Sequence, residues 1–401
     1  MRKNVLGWSA GAVVAVVAAT LVIRSATDDS PPAAVPLGAA SSASVSSAVP
    51  SLVPSPTPSL SCARATAEGL SLEERAGQLL MIGTPVDSPR DLSGEVKRYH
   101  LGGVFLAGRS TRSAASLRAD ITALQGAATV PLLVALDQEG GSVQTLKGRD
   151  FPLIPSAQRL GAGSPAKLRD TVRANADRLS GIGITVNLAP VADTVPANIG
   201  TANPPIGAFR RQYGSDPDKV AASIRTVVPA SQGEGVLTIL KHFPGLGRVR
   251  ANTDTSTKAV DRTATVDDPY LKPFEAGIEA GSAGVMISSA SYPRLDPKNI
   301  AAFSEPIITG LLRDRLGYRG LVMSDDLGAA DAAESVPAGE RAVRFVRAGG
   351  DMTLSIRPED AAPMTSALIE AAQKSPAFEA RVTDAAVHVL EAKGKAGRLR
   401  C

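Results

Sequence analysis

The chain has 401 residues, 44% of them hydrophobic, which is enough for one large folded domain with appendages and excludes a disordered protein. Its 43 Lys and Arg nearly balance 39 Asp and Glu, and because the basic residues are scattered, the net charge of +4 provides no electrostatic footprint for nucleic acid. An aromatic content of 3% also argues against long stacking platforms for polymeric ligands.

Residues 1–61 read differently from the rest. Arg2 and Lys3 precede an uncharged run over 5–23. As a helix this run would be about 28 Å long at about 1.5 Å per residue, close to bilayer thickness. It reads as an amino-terminal signal or membrane anchor (residues 1–24). Hydrophobic length and the lack of a small-x-small cleavage site before Asp28 favour an anchor. The preceding positive charge then puts the remainder of the chain outside the cytoplasm. Residues 25–61, rich in Ser, Pro and Ala, cannot bury enough surface to fold and read as a tether. Cys62 and Cys401 bracket the remaining sequence, and in an exported protein such a pair is expected to form a disulfide. Lipidation at Cys62 is the rival reading, but that cysteine lies far behind the apolar run.

From residue 70 onward, apolar runs alternate with amphipathic stretches. Ser71 and Glu74 form a capping box that opens the first helix. Strands are expected over 79–83, 103–107, 132–137, 185–188, 238–242, 284–288, 321–324 and 351–356. Helices are expected over 166–179, 218–232, 271–280 and 358–372. Eight such alternations predict an α/β fold, a single (β/α)8 TIM-type barrel over 62–401. A doubly wound open sheet is the alternative, but it would normally show a phosphate-binding glycine fingerprint after its first strand, and none is present.

Four of these runs end abruptly in ionisable residues. They present Asp137 with Glu139, Asp193, Lys241 with His242, and Asp325 with Asp326. Strand ends that converge in this way imply a pocket. The motifs D-Q-E-G-G-S-V-Q at 137–144, K-H-F-P-G-L-G at 241–247 and S-D-D-L at 324–327 resemble the signature set of glycoside hydrolase family 3, in the short single-barrel branch of bacterial β-N-acetylglucosaminidases. The resemblance implies a retaining, exo-acting glycosidase, a β-N-acetylhexosaminidase acting on cell-wall-derived or other N-acetylglucosaminides without cofactor or metal; a monomer is expected. The absence of H-x-x-x-H, C-x-x-C and G-x-x-x-x-G-K sequences agrees with that.

Residue by residue, the resemblance makes Asp325 the nucleophile and gives Asp137, Lys241, His242 and Arg211 to substrate binding, with Arg210 leaving the last register open by one. Glu139 is expected to hold its loop, and Asp193 to brace the site or touch substrate. Asp326 should point away from the site, as a helix cap or as a partner of Lys241 or Arg211.

The sequence departs from the family pattern in the loop after the fifth strand, where the family carries an Asp-Ser-His element whose His is the acid/base. Here the chain has only His100, His242 and His388, and Asn252 and Asp254 fall at the family Asp and His. Leu246 replaces a further His, and Ser142 and Thr145 replace two arginines. Asp254 is therefore expected as the acid/base, since a carboxylic acid is the commonest glycosidase proton donor. The alternatives are a catalytically impaired, surface-tethered sugar-binding barrel or a β-glucosidase-like member.

Overall fold

A computed structural model describes residues 58–399, which lie within one compact unit, Pro54–Cys401. The apolar run and tether expected over 1–61 lie outside the described residues, apart from the start of the helix Pro58–Gly69. Among the described residues no helix is long and apolar enough to cross a membrane. Cys401 also lies outside them, and with it the expected Cys62–Cys401 pairing; Cys62 itself is not a free thiol.

Eight parallel strands close into a barrel in sequence order: β1 Leu80–Pro85, β2 Gly103–Ala107, β3 Leu133–Leu136, β4 Val186–Asn187, β5 Leu237–Phe243, β6 Gly284–Ile287, β7 Leu321–Asp326 and β8 Met352–Ser355. The last strand closes on the first, with Leu80 opposite Thr353 and Ile82 opposite Ser355. This is the (β/α)8 architecture, and each of the eight expected strands is present. The helices also fall where the sequence placed them, at Pro165–Gly181, Pro217–Gln232, Lys272–Glu279 and Ala361–Lys374.

Local chemistry sets the helix starts. The Ser71 capping box is made in both directions. Three other helices open on a Ser or Asp cap followed by Pro, at Ser164, Asp216 and Ser375. A cap side chain satisfies an orphan N–H, and Pro supplies a preset φ where its missing N–H costs nothing.

Strand parity decides which side chains fill the barrel. Met81, Phe105, Leu133, Ala135, Leu237, Ile239, Leu321, Met323, Met352 and Leu354 pack together inside it. Their neighbours Leu80, Ile82, Val134, Leu240 and Val322 face the surrounding helices. Continuing the inward series by two brings Asp137, Lys241 and Asp325 to the carboxyl end of the barrel, above an apolar floor.

The opposite end is closed by the helix Pro376–Lys395, whose Val389 and Ala392 join the barrel cluster. There buried Asp351 accepts from Arg313 (2.7 Å), Arg381 (2.6 Å) and His388 (2.9 Å). Lys393 is fully buried nearby, with Gln78 Oε1 as its hydrogen-bond acceptor. Burial pushes its ammonium down to about 7.

Because the ordinary lysine value lies near 10.5, the folded state carries fewer protons than the unfolded chain between about pH 7 and 10.5. Stability should therefore rise with pH across that window and be insensitive to Lys393 below it. The contribution should be on the order of a few kcal/mol. Lys393→Met should remove this slope, measured as urea unfolding free energy against pH; an unchanged slope would mean the ammonium is solvated.

Candidate active site

The inward-facing strand ends open into a cavity of about 350 Å³, lined by residues that include Asp137, Arg211, Lys241, His242, Asp254 and Asp325. Each predicted site residue is therefore in one place. Phe105, Leu188, Met286 and Leu354 also line the cavity, and with the packed barrel interior beneath them it is a dead end. Its size lies at the lower end of the range of small-ligand sites, about 300–1,000 Å³.

Lys241 on β5 is the centre of the polar wall. Its Nζ lies 2.6 Å from Asp137 Oδ1 and 2.7 Å from Glu139 Oε1. Arg211 grips the same Glu139 bidentately, Nε to Oε2 at 2.9 Å and Nη2 to Oε1 at 2.8 Å, and donates from Nη1 to Pro205 O. Burial pushes the Glu139 carboxyl up, but the charges of Arg211 and then Lys241 outweigh it and hold it at about 2. On Lys241 burial acts to lower the pKa, and Asp137 and Glu139 overcome it, so the ammonium is held above its ordinary value. Glu139 thus fixes two cations that face the cavity, a different role from the holding of its own loop that was expected.

Glu139→Gln should leave that buried positive charge undercompensated and destabilise the fold by about 3–5 kcal/mol. Urea unfolding at neutral pH measures it, and a loss under about 1 kcal/mol would show that water screens the cluster.

His242 is held from behind. Asp193, fully buried at the end of the fourth strand segment, lies 2.7 Å from its Nδ1 and accepts its backbone N–H. A carboxylate can only accept, so Nδ1 donates, and Nε2 faces Arg211 Nη2 at 3.5 Å. Asp193 Oδ1 also accepts the Leu246 N–H at 2.7 Å. Asp193 is therefore a brace and not a substrate contact. Lys241 and His242 are adjacent in β5 yet both line the cavity, at a register irregularity between Leu240 and Phe243 in the β5–β6 pairing.

Asp326 was expected to point away from the site, yet it lines the cavity beside Asp325, and the two carboxylates differ in what they bind. Asp325 continues the inward series of Leu321 and Met323. The Asp326 carboxylate turns back to accept from the N–H groups of Gly328 (2.9 Å), Ala329 (3.3 Å) and Ile356 (3.0 Å). It caps the β7 loop and contacts neither Lys241 nor Arg211. Burial, ahead of the Asp325 charge, pushes its carboxyl up.

The loop after β5 is fixed at its base and open at its tip. Asn203 Nδ2 donates to Leu246 O (2.8 Å) and Val249 O (2.9 Å). Gly247 packs so tightly on the Thr194 carbonyl that a Cβ would lie 1.8 Å from it. Arg248 Nε bonds Asp261 at 2.7 Å, and its guanidinium also pairs with Asp268 and stacks over Tyr270 at 4.4 Å. At the tip, Asp254 is exposed on its outer side and lines the cavity on the other. Partial burial, and after it the charge of Asp325, push its carboxyl up. Thr253 O accepts from Ala332 N at 3.4 Å, so this tip touches the β7 loop.

The sequence substitutions have plain structural outcomes. Thr145, in place of a family arginine, is buried and donates to Asp137 O at 2.9 Å. His100 ends the helix Ser93–Tyr99 and His388 sits at the far end of the barrel. Among the described residues, His242 is the histidine lining the cavity. The sequence reading missed Pro205, Ala329, Ala330 and Ile356, which also line it. Ile356 could have been found by extending the inward parity of Met352 and Leu354.

Comparison with known proteins agrees with this geometry. The sequence profile of the glycosyl hydrolase family 3 N terminal domain matches residues 71–392. A β-hexosaminidase of Xanthomonas oryzae pv. oryzae is 33% identical over 267 residues, covering 65% of this chain and 77% of the relative. The crystal structure of a β-N-acetylhexosaminidase from Beutenbergia cavernae superposes with a TM-score of 0.79 at 44% identity, covering 81% of this chain and 99% of that one. A family 3 β-N-acetylglucosaminidase from Paenibacillus sp. str. FPU-7 gives 0.75 at 30% identity, covering 82% of this chain and 63% of that one. With a profile match across the barrel and a curated relative of such coverage, the chain is a glycoside hydrolase and belongs to glycosyl hydrolase family 3.

Proposed function

We propose that the chain removes a terminal N-acetylglucosamine from β-linked glycans with retention of configuration, Asp325 acting as nucleophile and Asp254 as acid/base. The observation that carries this reading is the pair of carboxylates lining one dead-end cavity, Asp325 fixed on β7 and Asp254 on a loop tip with its pKa raised. A dead-end cavity accepts a chain terminus and not a chain interior. Opposed environments divide the roles, since the group with the raised pKa can carry the proton while the strand-borne one attacks.

In the first step Asp325 attacks the anomeric carbon, and the leaving oxygen takes the proton of Asp254 as the glycosidic bond breaks. In the second, Asp254 removes a proton from water as that water's oxygen displaces Asp325. Asp137, Lys241, Arg211 and His242 hold the sugar hydroxyls. The names of the relatives support the choice of sugar, being β-hexosaminidase and β-N-acetylglucosaminidase.

The same reading makes the protein an extracytoplasmic monomer in cell-wall turnover, held by residues 1–24 on the tether 25–61, with Cys62 and Cys401 bridged. A two-proton mass difference on reduction tests the bridge. Hydrolysis of a panel of nitrophenyl glycosides tests the activity: turnover of the β-N-acetylglucosaminide above the β-glucoside is expected. Turnover of the β-glucoside alone would assign the β-glucosidase-like alternative, and turnover of none would leave a sugar-binding barrel.

A further inference from the structure

The amino end of the barrel holds a second cavity, of about 600 Å³, within the size range of small-ligand sites. Its lining comes from four helical segments: Arg64 from Pro58–Gly69, Arg313 from Pro306–Arg315, Arg347 from Ala338–Arg347, and Arg381, His388 and Glu391 from Pro376–Lys395.

One side of it is rigid. Gly349 has a φ of +111°, and a Cβ there would lie 2.4 Å from Thr309 Oγ1, so the position requires glycine. The Gly349 carbonyl accepts from Arg313 Nε and from Arg381 Nη2, both at 3.0 Å, and Gly350 O accepts from Arg381 Nη2 at 2.6 Å. Fully buried Asp351 accepts from both guanidiniums and from His388 Nδ1. Arg313 is thereby saturated, with acceptors for Nε, Nη1 and Nη2. Arg381 commits only Nη2, so its Nε and Nη1 have no acceptor among the described residues. Asp351 also accepts Val322 N at 2.8 Å, at the root of β7, whereas Asp325 stands at the far end of that strand.

Two opposite charges on the wall are unpaired. Arg347 is exposed, its guanidinium lies over the Phe378 ring at 5.3 Å, and it makes no hydrogen bond or ion pair among the described residues. Glu391 is half-buried, and neither of its carboxylate oxygens has a hydrogen-bond partner among the described residues; Oε1 is buried as well. Burial pushes its carboxyl up, and the charges of His388, Lys395 and Arg64 oppose this from a distance without bonding to it. Arg64 is already paired with Asp384 at 3.0 Å. A carboxylate withdrawn from water without a donor costs free energy that a bound donor would restore. An anion alone would leave Glu391 as it is, and a cation alone would leave Arg347 and Arg381 without an acceptor.

We propose that this cavity is a second ligand site, separate from the catalytic one, which takes a small zwitterion, its carboxylate held by Arg347 and Arg381 and its ammonium by Glu391. A free amino acid or a short peptide with free ends has this chemistry. A guanidinium matches a carboxylate through two parallel donors, and an ammonium brings three N–H groups to the Glu391 oxygens.

Isothermal titration calorimetry of the full chain with glycine, diglycine, triglycine and tetraglycine tests the site, with the N-acetyl and carboxamide forms of each as probes lacking one charge. At least one free-ended member should bind about 10-fold or more tightly than either of its capped forms, on the scale of a charge-assisted hydrogen bond, and added salt should weaken it. Arg347→Gln should lower the affinity for that member toward that of its carboxamide, and Glu391→Gln toward that of its N-acetyl form. Arg347→Lys, which keeps the charge, should retain most of the binding. Both glutamine variants change side chains that have no partner to lose, and unchanged thermal midpoints should show that they fold. No binding by any free-ended member, equal binding of free and capped forms, or an affinity that either glutamine variant leaves unchanged would overturn the site. None of these readouts uses turnover, so the result stands apart from the glycosidase reading.

Discussion

Asp325→Ala should abolish turnover, with a loss on the order of 10³ to 10⁶ in kcat, the scale on which removal of a nucleophile acts. Asp325 continues the parity of Leu321 and Met323, which face the barrel interior, so its carboxylate stands over the cavity floor with its backbone fixed in a parallel ladder. A 2-fluoro sugar, which slows hydrolysis of the glycosyl ester more than its formation, should label Asp325, and peptide mass mapping would find it there. Asp326 supplies the contrast. Its oxygens accept three backbone N–H groups of the β7 and β8 loops. Asp326→Ala should therefore lower the melting temperature and raise KM without removing the chemistry. A label on Asp326, or full activity in Asp325→Ala, would refute the assignment.

Asp254→Ala should affect substrates unequally. Natural glycans have a poor leaving oxygen that needs a proton, and should lose on the order of 10² to 10⁴ in rate. Nitrophenyl glycosides barely need one and should lose far less in the first step. Azide should restore the second step on the activated substrate, giving a β-glycosyl azide. The pH dependence follows from the sign of the shift. Burial and the Asp325 charge raise the Asp254 pKa above its ordinary value. The protonated form that donates is present below that raised value and lost as pH climbs through it, so the alkaline limb of kcat/KM should disappear in the variant. Equal losses on both substrate types with no azide rescue would make Asp254 a solvated loop residue and send the search for a donor elsewhere.

The barrel was legible because buried parallel strands leave continuous apolar runs, and the eight expected strands close the sheet. Their lengths were less legible. Only Val186–Asn187 pairs as a strand where 185–188 was expected, while β7 runs past the expected 321–324 into Asp325 and Asp326. Whether backbone N–H groups find partners at a strand end is a matter of the neighbouring loops, which no single run encodes. In the site, Asp137, Lys241 and Asp325 follow from period-two alternation. Asp193 left two roles open, because choosing between them requires knowing that its oxygens reach the ring and backbone of His242 and the N–H of Leu246. Arg211 stayed open against Arg210 by one position, since which of two adjacent arginines turns inward to Glu139 is a tertiary fact.

The contrast between the clamped base and open tip of the β5 loop bears on how such enzymes diversify. Everything that Asn203, Asp193 and Arg248 secure lies at the roots of the loop, so the tip is bound to the scaffold by few obligations. The proton donor then behaves as an interchangeable part: a lineage can exchange one donor for another there, or lose it, while nucleophile, sugar cradle and barrel stay as they were. Transplanting 250–258 between members of the family should move the pH optimum with the segment and leave the choice of terminal sugar with the host.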